Sequence, residues 1–144
     1  MKVIKSFLRI TFLFFVFIPY AFTQEEIVNY DESVSLIKLI ASPEKYEGKK
    51  IRTIGVFGTC LMECVSTIFL TKQDVDVWNQ LNGIAIIFED SYEAKKDEKI
   101  QSLHKKYVQV QGVFFPNKEP GYLYQGIIKN IDFIYSIEEP LEEE

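Results

Sequence analysis

Two stretches of this chain, residues 51–57 and 108–114, repeat one pattern and thereby limit how the chain can fold. The pattern pairs Ile51 with Val108, Thr53 with Val110, Gly55 with Gly112, and Phe57 with Phe114. Period-two runs of β-branched residues predict strands. A glycine inside such a run predicts a bulge or a sharp bend. Each stretch is therefore predicted to be a strand that bends at its glycine.

Three further runs are predicted to be strands. They are residues 65–71, 83–88 and 122–137, and the last is expected to bend at Gly126. With strands over 50–58 and 106–115, the chain has five predicted strands. The connector between the second and third is polar, and its few apolar anchors are expected to be packing residues. These anchors are Val75, Val77 and Trp78.

Two helices are predicted beside these strands. The first precedes the first strand, with Ser33 as its N-cap and an apolar face that recurs through Val34, Ile37 and Ile40. It stops at Ser42-Pro43, where a further turn can begin. The second spans residues 90–106, where Asp90 and Glu93 fit a capping box. It lies between the third and fourth strands.

This order of elements predicts a mainly β fold, a five-stranded OB-like Greek-key barrel. One helix precedes strand one, and the other lies between strands three and four, as in an OB fold. The repeated glycines then have a reason, because long strands that serve both sheets of a barrel must bend. Half of a β-sandwich is the alternative, and the helix before strand four argues against it.

The chain is predicted to have three parts, a signal peptide at residues 1–23, a single OB-like domain at 24–137 and an acidic disordered tail at 138–144. The first part has a basic start, an apolar run at residues 10–22 and small residues before the cleavage point, as secretory signals do. The apolar run is too short for a spanning helix. We therefore expect an exported protein, periplasmic or extracellular, with no stable membrane span after cleavage.

The net charge and the two cysteines limit the classes of function that this chain can have. The net charge is −5, and loss of the three basic residues in 1–23 makes it more negative, which argues against a nucleic-acid partner. Cys60 and Cys64 are expected to form a disulfide if the chain is exported. Their spacing is not that of a zinc site or a redox motif. No metal and no cofactor are expected.

No arrangement of residues predicts catalysis. His104 is the only histidine, and it lies at the predicted end of a helix beside two lysines. A surface role is the simplest interpretation there, because the helix dipole favours a cation at that end. No phosphate-binding glycine loop is present. We therefore expect a protein that is not an enzyme.

Three segments carry a resemblance to a group of known proteins. They are VSLIKLIASPEKYEGKKIRTIGVF, then IFLTKQDVDVW with NGIAIIF, and finally KYVQVQGVFF with GIIKNIDFI. Over residues 34–134 the chain resembles small secreted bacterial OB-fold-like proteins of uncharacterised function. The resemblance implies the fold and transfers no catalytic or binding residue. The segment GTCLMECVST departs from the pattern, because the group is not expected to have cysteines there.

The expected function is a non-catalytic binding module for a protein, peptide or saccharide met in the envelope or outside the cell. A structural or envelope-stress accessory protein without a small ligand is the alternative, and single-stranded nucleic-acid binding is a third reading. OB barrels bind through the face of strands two and three and through two loops, here GTCLMECV and PNKEPG. The candidate binding residues are Leu61, Met62, Phe115, Lys118, Tyr122 and Tyr124.

Overall fold

A computed structural model of the protein describes residues 29–60, 64–89 and 97–138. Its strands are β1 (Glu32–Ser33), β2 (Lys50–Gly58), β3 (Thr67–Phe69), β4 (Gly83–Ile86), β5 (Tyr107–Pro116) and β6 (Gly126–Ser136). Its α-helices are α1 (Leu36–Ala41), α2 (Lys72–Asp76) and α3 (Glu98–Gln101), and 3₁₀ turns span Pro43–Tyr46 and Gln80–Asn82. The predicted signal peptide, the capping box at residues 90–93 and the tail beyond Glu138 lie outside the described residues.

Strands β2 to β6 close into a barrel. The order around it is β2, β3, β4, β6 and β5, and β5 pairs again with β2. All neighbours are antiparallel except β4 and β6, which are parallel. With a helix between β4 and β5, this is the strand order of an OB-like barrel. The mainly β, five-stranded fold predicted from the sequence is confirmed.

The two repeated stretches are antiparallel neighbours in this barrel. Thr53 lies opposite Val110, and each glycine lies opposite the first apolar residue of the other stretch, Gly55 with Val108 and Gly112 with Ile51. The repeat is therefore the sequence pattern of one symmetric pair of strands.

Both glycines let a third strand approach closely. A Cβ at Gly55 would lie 2.1 Å from Cγ2 of Ile68 on β3, and one at Gly112 would lie 2.7 Å from the Lys129 carbonyl oxygen on β6. The expected bend of β2 is also present, because β2 pairs with β5 up to Val56 and with β3 from Val56 onward. On β5 the pairing with β6 shifts beside Gly112.

The core fills the inside of the barrel with alternate residues of the strands. Its fully buried members include Ile51, Phe57, Ile68, Ile84, Phe114 and Ile128. Leu39 of α1 and Leu103, just after α3, pack against this cluster. Burying one such side chain stabilises the fold by roughly 1.5–3 kcal/mol. A second, smaller cluster joins Val56, Phe69 and Val75, with Trp78 packed against it.

The structure corrects the predicted first helix. Its N-cap is Ser35, whose side chain accepts a hydrogen bond from the Lys38 N–H. Ser33, the predicted cap, instead pairs with Arg52 as part of β1. The buried face is formed by Leu36 and Leu39, whereas Ile37 is 64% exposed. The further turn expected after the Ser42-Pro43 stop is present as the 3₁₀ helix Pro43–Tyr46, with Pro43 at its first position.

The connector between β3 and β4 contains a helix that the sequence analysis missed. Thr71 caps α2, and its hydroxyl also donates to Asp74 at 2.6 Å. Burial raises the pKa of Asp74, but hydrogen bonds from Thr71, Asn82 and Asn79 outweigh burial and hold the pKa below its ordinary value. Val75 packs as expected, whereas Val77 is 68% exposed, so its predicted packing role was wrong.

Three predicted strands are shorter in the structure. The second and third are Thr67–Phe69 and Gly83–Ile86, because Thr71 caps α2 and the chain leaves the sheet after Ile86. The fifth begins at Gly126 rather than at residue 122. Residues 122–125 belong to the loop because the Asn117 side chain and main chain bind the carbonyls of Tyr124 and Gln125.

A polar network lies on the outer side of β2, β5 and β6. Gln111 is fully buried; its amide nitrogen donates to Asp132 at 2.8 Å, and its carbonyl accepts from Arg52 at 3.1 Å. Lys50 lies 3.1 Å from the same carboxylate. The hydrogen bond from Gln111 holds the pKa of Asp132 below its ordinary value, burial opposes it, and Lys50 adds to the lowering.

Replacing Gln111 by methionine should cost about 1–3 kcal/mol at neutral pH, because Arg52 and Asp132 lose a buried partner. A lowered folded-state pKa stabilises the protein above the unfolded-state pKa, and this stability is lost as the pH falls through the folded-state pKa. The cost of Gln111→Met should therefore shrink in acid. Urea unfolding at neutral and acidic pH measures it, with Gln109→Met as the control. An equal cost at both pH values would contradict the role given to Asp132.

A candidate binding cleft on the outer barrel face

A cleft of about 510 Å³ lies on the outer face of the barrel beside the loop between β5 and β6. Its floor comes from outward residues of β4 and β6 and from the chain on either side of β3 and β4, namely Val65, Ala85, Ile87, Ile127 and Lys129. Its wall comes from the end of β5 and the loop that follows, namely Phe115, Pro116, Asn117, Lys118, Glu119, Tyr122 and Tyr124. The cleft therefore has an apolar floor and an aromatic wall.

The structure brings four of the six predicted binding residues together here. Phe115, Lys118, Tyr122 and Tyr124 all line the cleft. Leu61 and Met62 lie outside the described residues, so their predicted role stays a prediction. The cleft differs from the expected site in one respect, because its floor is formed by the third and fifth barrel strands, β4 and β6, rather than by the second and third.

Alternation along the strands explains why these residues face outward. Ile128 and Phe114 are fully buried in the core, so their neighbours Ile127, Lys129 and Phe115 must face the other side of the sheet. The parallel pairing then sets Ile127 beside Ala85. Phe115 remains 37% exposed and Val65 38% exposed. Apolar surface is therefore available to a ligand at the floor and the wall.

The wall is held in shape by hydrogen bonds inside the loop. The Asn117 side chain donates to the Tyr124 carbonyl at 3.0 Å and accepts from the Glu119 N–H at 3.1 Å. Lys118 forms an ion pair with Glu47 at 2.6 Å. These polar side chains already have partners within the protein, so the surface left for a ligand is mostly apolar.

The two tyrosines of the wall have different environments. Tyr124 is 7% exposed, and its hydroxyl lies 3.3 Å from Oγ1 of the buried Thr67. Tyr122 is 64% exposed, and its neighbour Leu123 is 53% exposed. Tyr124 therefore supports the wall, whereas Tyr122 is the ring that a ligand can contact directly.

The chain just after the cysteine pair contributes to the floor of the cleft. Cys60 and Cys64 are joined by a disulfide, with their Cα atoms 5.9 Å apart. Below it, the buried hydroxyls of Thr59 and Ser66 share a hydrogen bond of 3.1 Å. Val65, which follows the second cysteine, lines the cleft. The disulfide and the hydroxyl pair thus fix the position of one edge residue.

His104 has a structural contact at the base of the same loop. Its Nδ1 accepts a hydrogen bond from the Thr59 N–H at 3.2 Å, and its side chain is exposed. It does not line the cleft. Within the described residues, no group of three or more His, Cys, Asp or Glu side chains could hold a metal ion.

A second groove of about 430 Å³ was not expected from the sequence. It lies between α1 and β2, where Ile37 and Ile54 border it together with Leu36 and Leu70. The sequence did offer one sign of this groove, because the alternation of residues along β2 places Ile54 on the outer side of the barrel. Its polar side chains include Arg52, which already binds Gln111 and lies 4.0 Å from the Tyr30 ring centroid.

No protein-family model matches this chain, and no curated protein sequence matches it either. Among the helices of the described residues, none has the length and apolar character needed to cross a membrane.

Proposed function

We propose that this protein is an exported, non-catalytic binding module that receives an apolar side chain of a protein or peptide in the cleft. One observation carries the proposal. Four residues chosen from the sequence as binding candidates, Phe115, Lys118, Tyr122 and Tyr124, line one cleft with an apolar floor. An exposed aromatic ring beside apolar surface is a common anchor point for a protein partner.

The chemistry of the cleft favours a peptide over a saccharide. Recognition of a sugar hydroxyl needs hydrogen-bonding groups that are free to serve it. Here Asn117 is bound to the loop main chain, and Lys118 is bound to Glu47. The hydrogen-bonding side chains of the lining that remain for a sugar are those of Lys129, Glu119 and Tyr122. Val65, Ile87 and Ile127 instead offer apolar surface. An aliphatic or aromatic side chain is therefore the ligand group that best fits this surface.

The test uses random linear peptides displayed on phage as the probe. Peptides selected on the purified protein should bind Tyr122→Ala roughly tenfold or more weakly, because an exposed aromatic anchor is lost. Tyr135→Ala is the matched control, since Tyr135 is 44% exposed and lies near the other end of β6. Circular dichroism would confirm that both variants stay folded.

Two results would count against the proposal. One is that no peptide is selected, and the other is that the selected peptides bind Tyr122→Ala and the native protein equally. The predicted binding residue Leu61 has its own test, because Leu61→Asp should weaken binding of the same peptides if this residue contacts the ligand. Export is tested by the N-terminal sequence of the protein recovered outside the cytoplasm, which should begin at Gln24. A retained leader would overturn the predicted cleavage.

A further inference from the structure

The charges of the cleft divide it into two ends. Lys129 lies on β6 at the floor, and Glu119 lies on the loop between β5 and β6. Lys118, the third charged residue of the lining, already forms an exposed ion pair with Glu47. The cleft therefore has a cation, Lys129, on the strand and an anion, Glu119, on the loop. Other residues of the lining provide apolar surface.

Lys129 differs from the other lysine of the cleft. Within residues 29–60, 64–89 and 97–138, it has no ion pair. Its ammonium group lies 5.8 Å from the ring centroid of Phe115, a distance at which the ring attracts the cation. The contact with this ring keeps the ammonium group at the surface of the cleft. No carboxylate of the described residues is paired with it, so it can bind a carboxylate of a ligand.

We infer, on the basis of the proposed function, that the cleft selects acidic segments: the partner places an Asp or Glu carboxylate on Lys129 and an adjacent large apolar side chain against Phe115 and Tyr122. Charge complementarity carries this choice. A lysine without an ion pair at an apolar surface favours a partner of opposite charge and disfavours a basic one.

Glu119 sets the direction of the segment. Its carboxylate repels an acidic residue at the loop end of the cleft, so the acidic residue of the partner lies at the β6 end. Glu119 also disfavours a polyanion in the cleft, because a ligand with several adjacent anions would bring one of them against this carboxylate.

The experiment begins with the peptides selected on phage. The selected sequences should carry an Asp or Glu next to a large apolar residue. The strongest of them is then made as a synthetic peptide, together with a version in which that acidic residue is changed to its amide. Fluorescence anisotropy measures both dissociation constants on the native protein and on Lys129→Met.

On the native protein the amide version should bind roughly two- to fivefold more weakly, as expected for one exposed charged pair. On Lys129→Met the two versions should bind equally, because the pair is already broken. Lys38→Met, a lysine of α1 away from the cleft, should behave like the native protein. Glu119→Gln should strengthen binding of the acidic peptide by about twofold.

The outcomes separate this inference from the proposed function. If the peptides depend on Tyr122 but the amide version binds as well as the acidic one, the acidic preference is wrong and the binding module stands. If no peptide depends on Tyr122, both are wrong. If oligodeoxythymidylate binds in a Tyr122-dependent manner with a steep salt dependence, the anionic ligand is a nucleic acid and the peptide inference is overturned.

Discussion

Gly55→Ala should destabilise the protein by about 3 kcal/mol, at the upper end of the usual cost of overpacking a core. The new methyl group would lie 2.1 Å from Cγ2 of Ile68 and 2.9 Å from the Phe69 carbonyl oxygen. Cγ2 of Ile68 is the branch methyl of a fully buried side chain and has little freedom to move. The carbonyl belongs to the strand that β2 must approach. The variant can be accommodated only if β2 and β3 separate.

The measurement is urea unfolding of Gly55→Ala, with Gly48→Ala as the control. A Cβ at Gly48 meets no atom within 4 Å, although its φ of +73° is left-handed, so its cost should be only about 1 kcal/mol. Adding Ile68→Ala to Gly55→Ala should cost less than the two single changes together, since the added methyl then gains space. Equal costs at Gly48 and Gly55 would show that the close approach of β3 does not require a glycine at position 55.

Phe114→Ala should cost about 3–5 kcal/mol, because a large aromatic side chain at the centre of a core leaves a cavity. Phe114 is fully buried, and the tip of its ring lies over Gly126, where a Cβ would be 2.3 Å from Cζ. Phe115, the next residue, points outward and lines the cleft. Two adjacent phenylalanines thus serve the fold and the candidate site separately.

Thermal and urea unfolding of Phe114→Ala and Phe115→Ala test this division. Phe115→Ala should cost about 1 kcal/mol or less, as for a residue at the surface, but it should weaken binding of the selected peptides. Phe114→Ala should destabilise the fold strongly. If the two variants lose equal stability, the inside and outside assignment of β5 is wrong.

The fold could be predicted because alternation and glycine placement act locally. The period-two pattern alone assigns Ile51, Thr53 and Phe57 to the inner side of β2. It assigns the matching residues of β5 to the inner side in the same way. The choice between Ser33 and Ser35 as N-cap could not be made locally, because it depends on the pairing of Ser33 with Arg52. The helix α2 could have been predicted, since Thr71 and Asp74 have the spacing of a capping box.

The candidate site could be predicted in part. Phe115 and Tyr122 were found because ligand sites of OB barrels often use the loop between the last two strands. Ala85, Ile87 and Ile127 were missed, since their place in the floor follows from the parallel register of β4 with β6. That register joins strands that are distant in sequence, and no local pattern specifies it.

The pairing of β2 with β5 also has a kinetic consequence. Closure of the barrel requires Lys50 to meet Val113, and loops of that length close at an entropic cost before any contact compensates it. Barrels dominated by such non-local pairs have high contact order and fold slowly. A chain that is synthesised from its N-terminus cannot close this barrel until β6, the strand that joins β4 to β5, has emerged. It therefore stays open for most of its synthesis, as the proposed export through a translocation pore would require.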